Sequence, residues 1–528
     1  MSKRPSLTHR TISGLLWTVA GKGAYGLLQL IVLAILARLI TPAAFGVVSA
    51  ALIVISLSAI VSQLGMGTAL VQRPILEQRH IDTAFTASFL FDSTLGAIVW
   101  LTAPLAAKFF HNVGVEPVLR ALAYTFPVLG LSTVAQSLMK RELRFRELAN
   151  LDVASYGVGY GIVGVPLALK GYGVWALVAA QMVQTTVKTG ILLWWRRPSI
   201  RMPERRAFDE LMYFGTGFTV AKIANQLAAQ GDYLVVGRFL GPQALGYYGR
   251  AYTLMSSPAN GFGTVLDAVL FPVMAKVQTE SFRLAAAFRR AIALLSLVFL
   301  PLSAAFILLA PEVVNVLLGP RWAPVVAPFQ VLAAGMMFRS NAKIADALAR
   351  ATGAVYRRAW RQILYAALVV GGAWIGQHWG ITAVAWAVLF AILVNWVTMT
   401  QLSLDDARMR WSEVFAASLP SVMVTVLAAV PGWLVISLLR HWEVPALLVI
   451  IGGSAVMLGT VAIAILRAPT RFLGAEGQWM VETMKSFVAK FRSRSKTVAV
   501  ASIEQPTTTG GSVPTTDAAH PRSSIASR

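Results

Sequence analysis

Lysines and arginines placed inside long apolar runs are the residues here whose type and position suit chemistry. Lys22, Lys222, Arg250, Arg339 and Lys343 all stand in such runs. In a low-dielectric surround, cationic side chains hold anions, above all phosphate and diphosphate. Polar residues share their helical faces. Lys22 aligns with Thr18, Tyr25 and Gln29, and Asn225 and Gln226 accompany Lys222. Ser49, Ser56 and Gln63 recur at heptad spacing, as do Arg250 and Ser257. Asp92, Asp232 and Asp267 are the acidic residues at comparable depth. They either pair with the cations or carry a coupling proton or Na⁺, and pairing is ranked first. Lys343 and Asp346, one turn apart, could neutralise each other. Lys188 lies near a basic end and reads as a side chain snorkelling to the interface.

Other chemistry finds little support. There is no cysteine, which excludes disulfide scaffolds, thiolate metal sites and cysteine nucleophiles. His9, His80, His111, His378, His441 and His520 are scattered without metal spacing or a triad. The run Gly157, Gly159, Gly161, Gly164 suits close helix packing, not a dinucleotide fold. Gly21-Lys22-Gly23 lacks the spacing of a phosphate-binding loop. No catalytic constellation, metal site or cofactor site is expected.

The elements that must position these cations are membrane helices. Of 528 residues, 56% are hydrophobic and only 13% charged, yet the net charge is +23. A nucleic-acid-binding domain would carry denser charge. About 14 segments are long and apolar enough to span a bilayer. They lie near 11–37, 44–70, 83–107, 118–138, 151–169, 173–195, 211–237, 244–274, 287–310, 325–349, 361–377, 380–402, 414–438 and 444–466. The loops alternate in charge. Of the 46 lysines and arginines, thirty-three fall in the set that includes both termini and seven in the opposite set. The positive-inside rule then places both termini in the cytoplasm. The N-terminus reads as a retained span rather than a cleaved signal. Residues 467–496 read as a basic amphipathic segment on the inner leaflet, and 497–528 as a disordered tail.

The stretch Ala37 to Gly46 recurs as Gly237 to Gly246. Lys22/Lys222, Arg38/Arg238, Pro42/Pro242, Gly46/Gly246 and Ser56/Ser256 match at one fixed offset of 200. A lysine recurring inside a span is costly, so chance is a poor explanation. The offset joins the first span to the seventh, so both copies share one orientation: a parallel repeat. The expected fold is all-α and polytopic. It has two six-helix lobes, 1–195 and 211–402, and an extra helix pair, 414–466. Two lobes around a central cavity form a transporter plan.

Six stretches add a resemblance: Gly14 to Thr18, Ile35 to Gly46, Leu64 to Arg73, Lys140 to Arg146, Gly171 to Leu177 and Leu245 to Ala251. With them the chain resembles the Wzx-type O-antigen and exopolysaccharide flippases. These are the polysaccharide-transporter branch of the multidrug/oligosaccharidyl-lipid/polysaccharide exporter superfamily. The likeness covers about residues 10–465, with Ala43-Ala44 standing where the family often has an acidic pair. It implies flipping of an undecaprenyl-pyrophosphate-linked oligosaccharide across the bacterial inner membrane by alternating access. Implied partners are that lipid-linked saccharide, membrane lipids, a polysaccharide polymerase and export proteins. Related flippases hold the diphosphate with cations in the first and eighth spans. By position that role falls on Lys22 and Arg250, with Lys222 as the repeat mate. A cation-coupled multidrug antiporter of the same superfamily is the alternative, and it should depend on Asp232 or Asp267. A membrane enzyme would need acidic or histidine clusters in long outer loops, which are absent from the sequence.

Overall fold

The computed structural model describes residues 7–62, 66–73, 75–196, 203–215, 219–278, 280–469 and 472. Within these, the side chains of 7–20, 60–62, 68, 72, 211–215, 219–224, 259–273 and 355 are not described. Gln63, the side chains of Lys222 and Asp267, the tail 473–528 and nearly all of 467–496 therefore lie outside the described residues.

Helices account for every regular element among the described residues. α1 spans Leu7–Leu39, α2 Pro42–Ser62, α3 Met66–Gln72 and α4 Gln78–Phe109. α5 (Val115–Ala123) and α6 (Thr125–Arg141) precede α7 (Phe145–Tyr156). A π-helical stretch, Gly157–Gly164, leads to α8 (Val165–Leu169), and α9 is Val174–Trp195. The chain continues through α10 (Arg205–Gly215), α11 (Thr219–Phe239), α12 (Gly241–Lys276), α13 (Ser281–Leu308) and α14 (Ala310–Leu317). A 3₁₀ turn at Pro320–Val325 precedes α15 (Val326–Ala334), α16 (Met336–Ala351), α17 (Val355–Gly376) and α18 (Ile381–Ala407). α19 (Trp411–His441) and α20 (Ala446–Arg467) complete the described helices.

Ten of the described segments are long and apolar enough to cross a membrane. The expected spans near 211, 244, 325 and 361 are helical but do not join that group. Charge and a break account for two of these. α17 carries Arg357, Arg358 and Arg361, and the expected 325–349 segment breaks at Gly335 into α15 and α16. The expected segment 211–237 falls on α10 and α11, with residues 216–218 outside the described residues. The expected segment 44–70 falls on α2 and α3, with residues 63–65 outside the described residues.

The outer faces of these helices are apolar. Leu27, Ile31 and Ile35 of α1, and Leu419, Val426 and Val430 of α19, are exposed at helical spacing. An exposed apolar stripe on a long helix is costly in water and favourable in lipid. Exposed Trp194, Trp379 and Trp442 sit at helix ends, where indole suits the membrane interface. These features make the chain an all-α, multi-pass membrane protein.

One end of the bundle is tightly closed. Proline opens both α2 and α12, where its missing N–H costs no hydrogen bond. A Cβ at Gly46 would run into the Pro242 carbonyl, and one at Gly246 into the Pro42 carbonyl. Only glycine permits this backbone approach. The neighbouring arginines also cross over. Arg38 donates to the Val316 carbonyl at 2.8 Å, and Arg238 to the Phe109 carbonyl at 2.7 Å. Trp322 is fully buried; its indole N–H donates to the Ala37 carbonyl at 2.8 Å. Its ring meets Phe45 edge-on at 5.5 Å.

Candidate functional site

Lys22 lies on α1 at the border of an apolar cavity of about 730 Å³. α1 contributes Gly23, Gly26 and Leu30 to its wall, and α12 contributes Leu254 and Ser257. The far wall includes Phe306, Phe329 and Ile450. Glycines at two successive turns keep the α1 side of the cavity open. One cation beside an otherwise apolar space suits an amphipathic guest with an anionic head.

Lys22 also faces a polar cluster built by α1, α7 and α9. Asp152 of α7 interacts electrostatically with Lys22, and its Oδ1 lies 2.7 Å from Nζ of Lys188 on α9. Tyr25, one turn after Lys22, hydrogen-bonds with Gln184 and Gln29. Its ring meets Tyr156 edge-on at 5.2 Å, and Tyr156 stacks on Tyr160 at 4.7 Å. The Tyr160 hydroxyl donates to Gln181 Oε1 at 2.9 Å. Lys188 is therefore held by a carboxylate rather than left to snorkel freely. Gly159 and Gly164 of the π-helical stretch let α9 approach closely at Ala180 and Gln184, whereas Gly161 meets nothing.

Arg250 of α12 reaches toward the same tyrosines. Its guanidinium lies 4.8 Å from the Phe45 ring centroid, and it interacts with Tyr156, Tyr160 and Tyr233. Among the described residues its buried Nε has no hydrogen-bond partner. Arg250 of α12 thus meets a ring face of α2 and lies in the field of the tyrosines, with donor capacity to spare.

Arg339 and Asp232 belong to a separate network. Arg339 donates to the Tyr252 hydroxyl and stacks 4.9 Å from that ring. Asp232, 1% exposed, accepts from the Tyr248 hydroxyl at 2.6 Å and from the Tyr233 N–H at 3.0 Å. Tyr365 and Arg339 complete its surroundings. This buried carboxyl is well provided with donors.

The remaining expected residues are dispersed. Ser56 of α2 donates to Gln230 of α11 at 2.5 Å, joining the two halves. Gln29 and Asn225 are exposed. Asp92 is buried where α4 packs on Gly130 of α6. Lys343 is half-buried on α16, and nearby Asp346 binds Arg350 and Arg358. Lys22 and Arg250 thus share the tyrosine cluster of α1 and α7, while Arg339 and Asp232 form a second centre. Asp152, Gln181, Gln184, Gln230 and every tyrosine of these clusters except Tyr25 are residues the sequence analysis does not single out. Their spacing within α7 and α9 held a signal, since Asp152, Tyr156 and Tyr160 follow every fourth residue.

Outside the spans, α10 is clipped to the first half. Glu210 accepts from Arg73 and lies 3.2 Å from His80 Nε2. Hydrogen bonds from His80 and then Arg73 hold its carboxyl below the usual range. Among the described residues, no three His, Asp or Glu side chains gather as a metal site.

Comparison with known proteins agrees with this architecture. The chain is 26% identical over 466 residues to the succinoglycan biosynthesis transport protein ExoT of Rhizobium meliloti, covering 86% of this chain and 92% of that protein. It is 23% identical over 452 residues to the teichuronic acid biosynthesis protein TuaB of Bacillus subtilis, covering 84% and 92%. Among solved structures, a lipid II flippase in an inward closed conformation superposes with a TM-score of 0.66 at 12% identity. That match covers 87% of this chain and 98% of the flippase. An inward-facing multidrug transporter superposes with a TM-score of 0.55 at 17% identity, over 79% and 98%. A family model described as polysaccharide biosynthesis protein matches residues 35–327, more than half the chain. The chain belongs to that polysaccharide biosynthesis protein family.

Proposed function

We propose that this protein flips an undecaprenyl-pyrophosphate-linked oligosaccharide across the bacterial inner membrane, head first through the space between its halves. It is a transporter of lipid-linked saccharide precursors working by alternating access, and not an enzyme. The observation that carries the finer reading is the position of Lys22. It stands between an apolar cavity and a polar, tyrosine-rich cluster. A polyprenyl tail fits the first environment and a sugar diphosphate the second. Arg250 and Lys222 supply further positive charge on this reading, with Arg339 and Lys343 deeper in the second half.

The two-lobe, 14-span repeat belongs to the same proposal. The reciprocal contacts of Pro42, Gly46, Pro242 and Gly246 support it, as does the crossing of Arg38 and Arg238. On this reading loop charge puts the closed end outside and both termini in the cytoplasm. Asp92, Asp232 and Asp267 remain the acidic residues available to a coupling H⁺ or Na⁺. A polymerase and export proteins would take the product on the outer side.

The test is polymer export in a strain carrying only Lys22→Ala, Arg250→Ala or both. Export should be lost while the protein still reaches the membrane. Full export by the double variant would refute the site.

A further inference from the structure

Three lysines from three helices lie in the field of one carboxylate. Lys188 of α9 lies 2.7 Å from Asp152 of α7. Lys22 of α1 and Lys140 of α6 also interact electrostatically with Asp152, and Lys140 interacts with Lys188. Among the described residues of α1, the Tyr25 hydroxyl also interacts electrostatically with Asp152. The set is accessible: the Asp152 side chain is 46% exposed and that of Lys188 is 26% exposed. Three ammonium groups against one carboxylate leave two positive charges unmatched. Like charges in one cluster repel, and among the described residues Asp152 is the carboxylate set against them.

We propose that this cluster is the loading site for a diphosphate group, and that Asp152 is the resident counter-ion the diphosphate displaces. A diphosphate diester carries about two negative charges at neutral pH, which matches the unmatched charge. Lysine suits the task. Its ammonium is a compact point charge on a flexible stem and can leave a carboxylate for a phosphate oxygen without a fixed fork geometry. Lys22 also borders the apolar cavity, so a lipid-borne diphosphate places its tail next to its head. Asp152 keeps the lysines gathered when the site is empty and competes with cargo when it is full. The inference rests on the transport reading above and adds three residues to it: Asp152, Lys140 and Lys188.

The full chain in lipid nanodiscs tests this with undecaprenyl diphosphate, inorganic pyrophosphate and phosphatidylglycerol as probes. Asp152→Asn removes the competitor and should tighten undecaprenyl diphosphate binding roughly tenfold, while Lys188→Gln should weaken it by roughly as much. Unfolding midpoints of both variants equal to that of wild type guard against reading misfolding as a result. Inorganic pyrophosphate should compete poorly, because it lacks the tail; equal affinity would overturn the lipid assignment. If wild type binds undecaprenyl diphosphate but Asp152→Asn and Lys188→Gln both bind as wild type, the counter-ion role is wrong and the transport reading stands. If wild type prefers undecaprenyl diphosphate no more than phosphatidylglycerol, the transport reading itself fails.

Discussion

Gly46 and Gly246 each lie against the carbonyl of the other's partner proline, Gly46 on Pro242 and Gly246 on Pro42. The residues are 200 apart in sequence and meet where α2 crosses α12. Alternating access requires this closed contact to form and to part. A side chain on either glycine must push the two backbones apart, and overpacking of this kind costs about 1–3 kcal/mol. Gly46→Ala or Gly246→Ala should therefore favour the parted state and slow transport. The chain has no native cysteine, so a single Thr41→Cys can report it. Labelling of Thr41→Cys by a membrane-impermeant thiol reagent should rise in the glycine variants. Unchanged labelling would mean the contact does not gate access.

Trp322 closes the same end from the side. It is fully buried and ties the 3₁₀ turn to α1 through Ala37. Trp322→Ala leaves a cavity and should cost about 3–5 kcal/mol. Trp322→Phe keeps most of the volume but loses the indole hydrogen bond, for about 1 kcal/mol. Thermal unfolding in detergent should rank wild type above Phe and Phe above Ala.

Arg250 depends on shape as well as charge. Its guanidinium sits against the Phe45 ring and between tyrosines. Lysine keeps the charge but not the planar group that stacks on rings. Arg250→Lys should lower export roughly tenfold, and Phe45→Leu should reproduce part of that loss. Export at the wild-type level in Arg250→Lys would reduce the residue to a plain positive charge.

The clip of α10 should respond to acid. Glu210 is held below the usual carboxylate range by His80 and Arg73. Its unfolded form therefore binds a proton more readily than its folded form. The stability it contributes is complete above the unfolded value and is lost as pH falls through the folded one. Unfolding midpoints measured from about pH 7 down to about pH 3 should drop, and Glu210→Gln should flatten that drop. Equal slopes would place the acid sensitivity elsewhere.

Helices were legible because their apolar runs are long, and the matches at an offset of 200 because lysine, arginine, proline and glycine stand out where apolar residues are cheap. Pro42, Gly46, Pro242 and Gly246 were readable as a pattern and turn out to touch. Helix breaks were less legible. The division at Tyr124, the π-helical stretch after Tyr156 and the break at Gly335 follow from packing between helices, which periodicity does not record. Ion pairing was least legible. Asp152 and Lys188 are thirty-six residues apart, and each looks like an ordinary helix-end charge until α7 and α9 are side by side. Ser56 and Gln230 likewise meet only across the two halves.

The most direct measurement uses the purified chain in liposomes carrying a fluorescent undecaprenyl diphosphate saccharide. Quenching by an impermeant reagent reports transfer between leaflets. The account expects transfer well above protein-free liposomes, and a return to that baseline in the Lys22→Ala/Arg250→Ala variant. Transfer at the protein-free rate for wild type, or undiminished transfer in the variant, would contradict it.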